Sequence, residues 1–166
     1  MIRIIALSAL VCCAAPALAQ DDDPFVSFRA LKPEVALTMA QAAMEDCREK
    51  GYQVGVTVVD RSGQPQVFLR DRYAGAHVYE TSYRKAWTSV SFRSDTSELN
   101  TATAPGTESY GIREIGLALP LGGGLLVQDG DGSVVAGIGV SGAPGPSLDD
   151  ECAATGIAAV EDDIAF

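Results

Sequence analysis

Hydrophobic and polar positions alternate most clearly in two places along the chain. In the first, Val54-Gly55-Val56-Thr57-Val58-Val59-Asp60 is followed by the polar turn Arg61-Ser62-Gly63-Gln64 and then by Pro65 to Arg70. In the second, Gly124 to Gln128 leads through Asp129-Gly130-Asp131-Gly132 into Ser133 to Gly142. Each pairs two β-branched runs across a glycine-containing turn, which predicts a β-hairpin. Helical spacing surrounds them. Val35, Met39, Ala43 and Cys47 recur every four residues between Pro33, suited to a first helical turn, and Gly51, suited to a stop. A second helix is predicted from His77 to about Arg93, with Tyr79, Tyr83, Ala86, Trp87 and Val90 as its core-facing stripe. Ser94 or Asp95 can cap a short third helix through Leu99. Ser147 is the expected cap of a terminal helix whose first turn carries Asp149, Asp150 and Glu151, where acids suit the helix dipole. Residues 101–111 read as an irregular surface segment, and 112–119 fit a brief helix and a strand equally well. The order α-β-β-α-(α)-β-β-α predicts an α+β fold: an antiparallel sheet of about five strands, built from two hairpins, with helices packed on it.

Residues 1–19 carry a different pattern. Arg3 supplies a basic start, Ile4 to Ala15 form an apolar run too short to span a bilayer, and Pro16-Ala17-Leu18-Ala19 offers small residues at a cleavage site before Gln20. This predicts a signal peptide and a periplasmic or secreted protein. Residues 20–30 read as a flexible acidic lead-in and 31–166 as one domain, long enough for a proper core. Without the leader the chain keeps 11 basic and 22 acidic side chains, a net charge of −11. Such a surface argues against nucleic acid, whose affinity comes from neutralising phosphates, and against anionic membranes. Cys12 and Cys13 leave with the leader, so Cys47 and Cys152 remain in an oxidising compartment. If their two helices lie side by side they form a disulfide; otherwise they are two small buried thiols.

The wording VVD-x-x-G at Val58 to Gly63, LRD at Leu69 to Asp71, KAWT at Lys85 to Thr88, GGG at Gly122 to Gly124 and GIGVSG at Gly137 to Gly142 resembles the GlcG/HbpS family of small haem-associated proteins. The resemblance runs from about Leu31 to Ile164. It implies a profilin- or PAS-like order of elements, symmetric homo-oligomers, and haem or a related tetrapyrrole as ligand. It also implies a groove bordered by Gly122, Gly123, Gly124 and the GIGVSG run that contains Ser141. Arg70 and Lys85 match basic positions of the family; they fit haem propionates or a small carboxylate, or pair with Asp60 or Asp71 to hold sheet and helix together.

His77, the only histidine, enters its helix from the glycine-bearing loop Tyr73-Ala74-Gly75-Ala76. One imidazole suffices to hold haem iron; a helix-capping or merely exposed histidine is the alternative. Tyr73, Tyr79 and Phe68 are the aromatic residues nearest it in the predicted order. Glu80 follows His77 by three residues, but a carboxylate-bridged metal site needs that spacing twice. No second histidine is present to make a zinc site. Gly139-Val140-Ser141-Gly142-Ala143 misses the G-x-S-x-G nucleophile elbow at its last position, and no G-x-x-x-x-G-K-[ST] phosphate loop occurs. A calcium loop beginning at Asp129 would need glycine where Val134 stands and glutamate where Val140 stands. The expectation is a small-molecule-binding protein for haem storage, delivery or sensing. The alternative is an enzyme or accessory subunit in small organic acid or haem metabolism.

Overall fold

The computed structural model of the chain describes residues 24–165; the expected leader at 1–19, like residues 20–23, lies outside them. The elements are α1 (Pro33–Glu49), β1 (Gly55–Asp60), β2 (Pro65–Arg70), α2 (Val78–Phe92), α3 (Thr96–Ala102), a 3-10 turn over Glu108–Glu114, β3 (Gly124–Gln128), β4 (Val134–Ser141), α4 (Pro146–Ala158) and α5 (Glu161–Ile164). The fold is α+β, with four antiparallel strands rather than five, in the order β2-β1-β4-β3. Two hairpins account for all four, and β4 joins them by pairing with β1 from Gly55↔Ser141 to Asp60↔Ala136. The segment left undecided at 112–119 adds no strand: it falls partly in the 3-10 turn and is irregular beyond it.

Local chemistry explains the turns. Asp60 Oδ1 accepts the N–H groups of Ser62 (2.7 Å) and Gln64 (3.0 Å). Asp129 Oδ1 accepts those of Asp131 (3.1 Å) and Ser133 (2.9 Å) in the same way. An aspartate at the end of each first strand thus folds the following backbone back by itself. The α4 helix begins two residues earlier than a Ser147 cap would set it, with Gly145 as the cap, because Pro146 is preorganised for a first helical turn and needs no hydrogen bond there.

The sheet has two unlike faces. Val56, Val58, Ile138 and Val140 point to one side and build the main core with Met39, Ala43 and Cys47 of α1 and with Cys152 and Ala153 of α4. Thr57, Gly137, Gly139 and Ser141 point to the other side, where α2 lies. The alternation in Gly137-Ile138-Gly139-Val140-Ser141 is therefore aliphatic toward α1 and α4, and small toward α2. With no side chain at Gly139, the backbone of α2 sits directly on the strand: a Cβ there would lie 2.0 Å from the Ser82 carbonyl oxygen and 2.7 Å from the Ala86 nitrogen.

That contact rotates α2 away from the predicted stripe. Its buried positions are Val78, Ser82, Lys85, Ala86, Thr88, Ser89 and Val90. Tyr79, expected in the core, is 59% exposed and packs edge-on against Phe68, with ring centroids 4.8 Å apart. Cys47 and Cys152 form a disulfide with Cα atoms 5.6 Å apart, joining α1 to α4 behind the sheet. Residues 24–31 run extended along the turns, held where Arg61 stacks on Phe28 and Arg29 pairs with Asp129 at 3.1 Å.

Two measurements test this packing. Gly139→Ala pushes a methyl into the α2 backbone and is expected to lower unfolding free energy in urea by about 1–3 kcal/mol, the usual cost of overpacking. Reducing the disulfide opens a loop spanning 105 residues. Urea unfolding with and without reductant should then differ by about 4–5 kcal/mol on the chain-entropy account.

Candidate ligand-binding site

The predicted site residues fall into two groups, one interior and one at the surface. Lys85 belongs to the interior: its side chain is 1% exposed. It donates to Asp149 Oδ2 at 2.8 Å and to the Val140 carbonyl at 3.0 Å. Gly123 makes the room, since a Cβ there would sit 2.8 Å from Lys85 Nζ. The next acid along, Asp150, accepts the N–H of Gly123, and Asp149 Oδ1 accepts that of Ala143 at 3.0 Å. Burial pushes the carboxyls of Asp149 and Asp150 up; for Asp149 the Lys85 ammonium opposes it, for Asp150 the Gly123 N–H does.

These contacts correct the groove expected around the glycines. Gly122, Gly123 and Gly124 are buried, and the places their side chains would occupy hold Pro146, Lys85, Asp149, Asp150, Thr96 and backbone. Close chain packing is what they serve. Lys85 pairs with neither Asp60 nor Asp71, whose carboxylates fold the first turn and hold Arg48 respectively. The acids of the α4 first turn suit the helix dipole, but sequence reasoning paired none of them with Lys85. A lysine at an inward helical position, which requires a buried acid somewhere, was the available signal.

Arg70, Tyr73 and His77 gather at the surface, at the end of β2 and the start of α2. His77 precedes α2 and is exposed, with its ring folded over Gly75. A Cβ at Gly75 would lie 2.6 Å from Cε1, 2.7 Å from Nδ1 and 3.8 Å from Nε2. The missing side chain leaves room for the ring, and Nε2 is the ring nitrogen farther from Gly75. Tyr73 is 80% exposed. The Arg70 guanidinium donates to the Ala74 carbonyl, bracing the loop from beneath. Ser141 is buried just under the first turn of α2, where its hydroxyl accepts from Thr81 Oγ1 at 2.7 Å. The eight residues from His77 to Lys85 separate the two groups by about 12 Å along the helix.

Sequence reasoning also missed the support of this loop. Arg48, in the last turn of α1, grips Asp71 in a fork at 2.7 and 3.3 Å. Asp71 Oδ1 also accepts the Arg72 N–H at 2.8 Å, and its carbonyl accepts the Ala74 N–H at 3.1 Å. The guanidinium holds the Asp71 carboxyl below its ordinary value of 3.8. Its stabilising contribution is therefore complete above that value and disappears as pH falls through the lower folded one. Chemically, the surface group offers one imidazole, two exposed phenol rings and one arginine on a braced loop. It suits a flat aromatic ligand that carries a metal and acidic groups. Among the described residues no three histidine, cysteine, aspartate or glutamate side chains gather to hold a bare metal ion.

Two predictions follow from these charges. Asp149→Asn leaves the Lys85 ammonium buried without its counter-ion and should cost about 3–5 kcal/mol in chemical denaturation. Asp71→Asn should destabilise at neutral pH, with the gap to the unsubstituted protein narrowing as pH drops below about 4.

Residues 31–158 match the family described as haem degrading protein HbpS-like. A crystal structure of HbpS from Streptomyces reticuli, a double mutant, superposes with a TM-score of 0.77 at 39% identity, covering 87% of this chain and 96% of that one. A crystal structure of a PduOC:heme complex superposes with a TM-score of 0.74 at 32% identity, covering 79% of this chain and 95% of that one. The corrinoid adenosyltransferase PduO of Salmonella typhimurium is 32% identical over 124 residues, which are 74% of this chain but only 36% of that protein's length. The chain belongs to the HbpS-like family of haem degrading proteins.

Proposed function

We propose that this chain is a periplasmic or secreted protein that binds haem or a related tetrapyrrole on the surface built by Arg70, Tyr73, His77 and Tyr79, for storage, delivery or sensing. The observation that carries the reading is the chain's one imidazole, exposed and lying against Gly75 through its Nδ1 and Cε1 side. A haem iron needs one such nitrogen from the protein. Tyr73 and Tyr79 offer the ring plane apolar, polarisable faces beside it. Arg70 keeps donors to spare beyond its bond to Ala74 and suits a propionate. The relative solved as a haem complex supports the same ligand class.

The residues fit the group without rearrangement of the core, because all of them sit outside it. Haem would supply an iron centre for ligand or electron exchange. The chain's own part is to hold and orient it, with Arg48 and Asp71 keeping the loop in place. An open face covers a tetrapyrrole on one side, so a second copy of the chain is the natural cover for the other, consistent with a homo-oligomer. The leader expected at residues 1–19 supports export from the cytoplasm, and the Cys47–Cys152 bridge suits an oxidising compartment.

Titrating the protein lacking residues 1–19 with haemin, and following the Soret band, tests the reading. A saturable shift is expected, and His77→Ala should weaken it at least about tenfold or change its position, as loss of an axial ligand does. Binding with the same affinity and spectrum in His77→Ala would overturn the assignment.

A further inference from the structure

At the other end of α2 the backbone does something costly. Arg93, which ends the helix, has φ 52° and ψ 44°, and is the one non-glycine residue with positive φ among the described residues. Its own N–H and that of Ser94 both return to the Ser89 carbonyl, the usual way a left-handed residue closes a helix. Glycine takes this position with no steric penalty, whereas a Cβ is crowded there. The side chain of Arg93 does not repay that cost inside the fold. It is exposed, and no ion pair or side-chain hydrogen bond to it occurs among the described residues.

Arg93 instead lines a hollow of about 430 Å³ with Arg61, Gln128, Ser133 and Val134. Arg61 is likewise without an ion pair, and its guanidinium is held in place by stacking 4.5 Å above the Phe28 ring. No acidic side chain lines the hollow, although the chain has 22 acidic residues against 12 basic ones. Two arginines without an ion pair therefore border one polar recess, with Ser133 and Gln128 beside them; Asp129 and Asp131 line the adjoining recess, where Arg61 meets Phe28. Gln128 Nε2 is occupied by the Gly132 carbonyl at 3.0 Å, which fixes the amide.

We propose that this recess, formed by Arg93 and Arg61 between the two hairpin turns and the end of α2, is a binding site for a small oxyanion, a carboxylate or a phosphate. Guanidinium groups pair with either in forked geometry, and a ligand bridging two of them gains from both. The left-handed arginine is retained at the helix end because its side chain contacts that ligand, in the manner of local strain stored at functional sites. The site is separate from the one at His77: sixteen residues of helix place Arg93 about 24 Å away along α2.

The test uses the protein lacking residues 1–19, without haemin, so its outcome is independent of tetrapyrrole binding. Thermal unfolding is followed in chloride, in inorganic phosphate and in malonate at matched ionic strength. At least one of the two oxyanions should raise Tm above chloride, and the effective one identifies the ligand class. Arg93→Gly should start from an equal or higher Tm in chloride, having lost the strain, yet show no increment and bind the anion roughly tenfold or more weakly. Arg61→Gln should likewise reduce the increment, each measured against that variant's own Tm in chloride. The proposal is overturned if neither oxyanion acts on the unsubstituted protein. It is equally overturned if the increment survives in Arg93→Gly, or if that variant starts lower and so shows that Arg93 serves the fold.

Discussion

The seating of α2 on the glycine face of the sheet governs most of what surrounds it. Gly139 brings the helix backbone against the strand with no layer of side chains between them. Helical positions over the strands must then be small, and Ser82, Ala86 and Ser89 occupy them. The hydroxyls settle their own hydrogen bonds there, Ser82 with Thr57 at 2.7 Å and Ser89 with the Leu125 carbonyl at 3.2 Å. Large residues on the same helix are displaced to its flanks. That displacement leaves Tyr79 at the surface near His77, so the proposed haem face is a by-product of the close packing beneath it.

Such packing has little apolar bulk to hold it, and polar ties take up part of the load. Lys85 links α2 to β4 and to the first turn of α4 through one buried ammonium. A buried ion pair of this kind adds little net stability over an apolar substitute, but it penalises any arrangement that separates its members. Three residues after Asp149, Cys152 binds the same helix to α1 on the far side of the sheet. The α4 segment is thereby fastened to both outer layers within a single turn of helix, which keeps the layers in register.

The same economy extends to the loop that bears His77. Arg48 follows Cys47 directly, so the residue that grips Asp71 is anchored by the disulfide next to it. Bridge, arginine, aspartate and loop form a connected chain from the core to the proposed haem face. At the opposite end of α2 the left-handed Arg93 and the Phe28-stacked Arg61 line a shared hollow. One helix thus carries an imidazole at its start and a guanidinium at its end, each projecting beyond the sheet.

The two hairpins, their turns and the start of α1 were legible in the sequence, because each depends on neighbours a few residues away. Asp60 and Asp129 bond backbone two and four residues on, and Pro33 opens its helix through its own ring geometry. The cysteine pair was legible only as two alternatives, since its closure depends on where two distant helices come to lie. Tertiary structure alone decided the partner of Lys85, 64 residues away, the grip of Arg48 on Asp71, 23 residues away, and the packing role of Gly122 to Gly124. It also turned Tyr79 outward. A hydrophobic period records which side chains are apolar but not how near the facing backbone approaches, and here that distance determined which residues were buried and which were left at the surface.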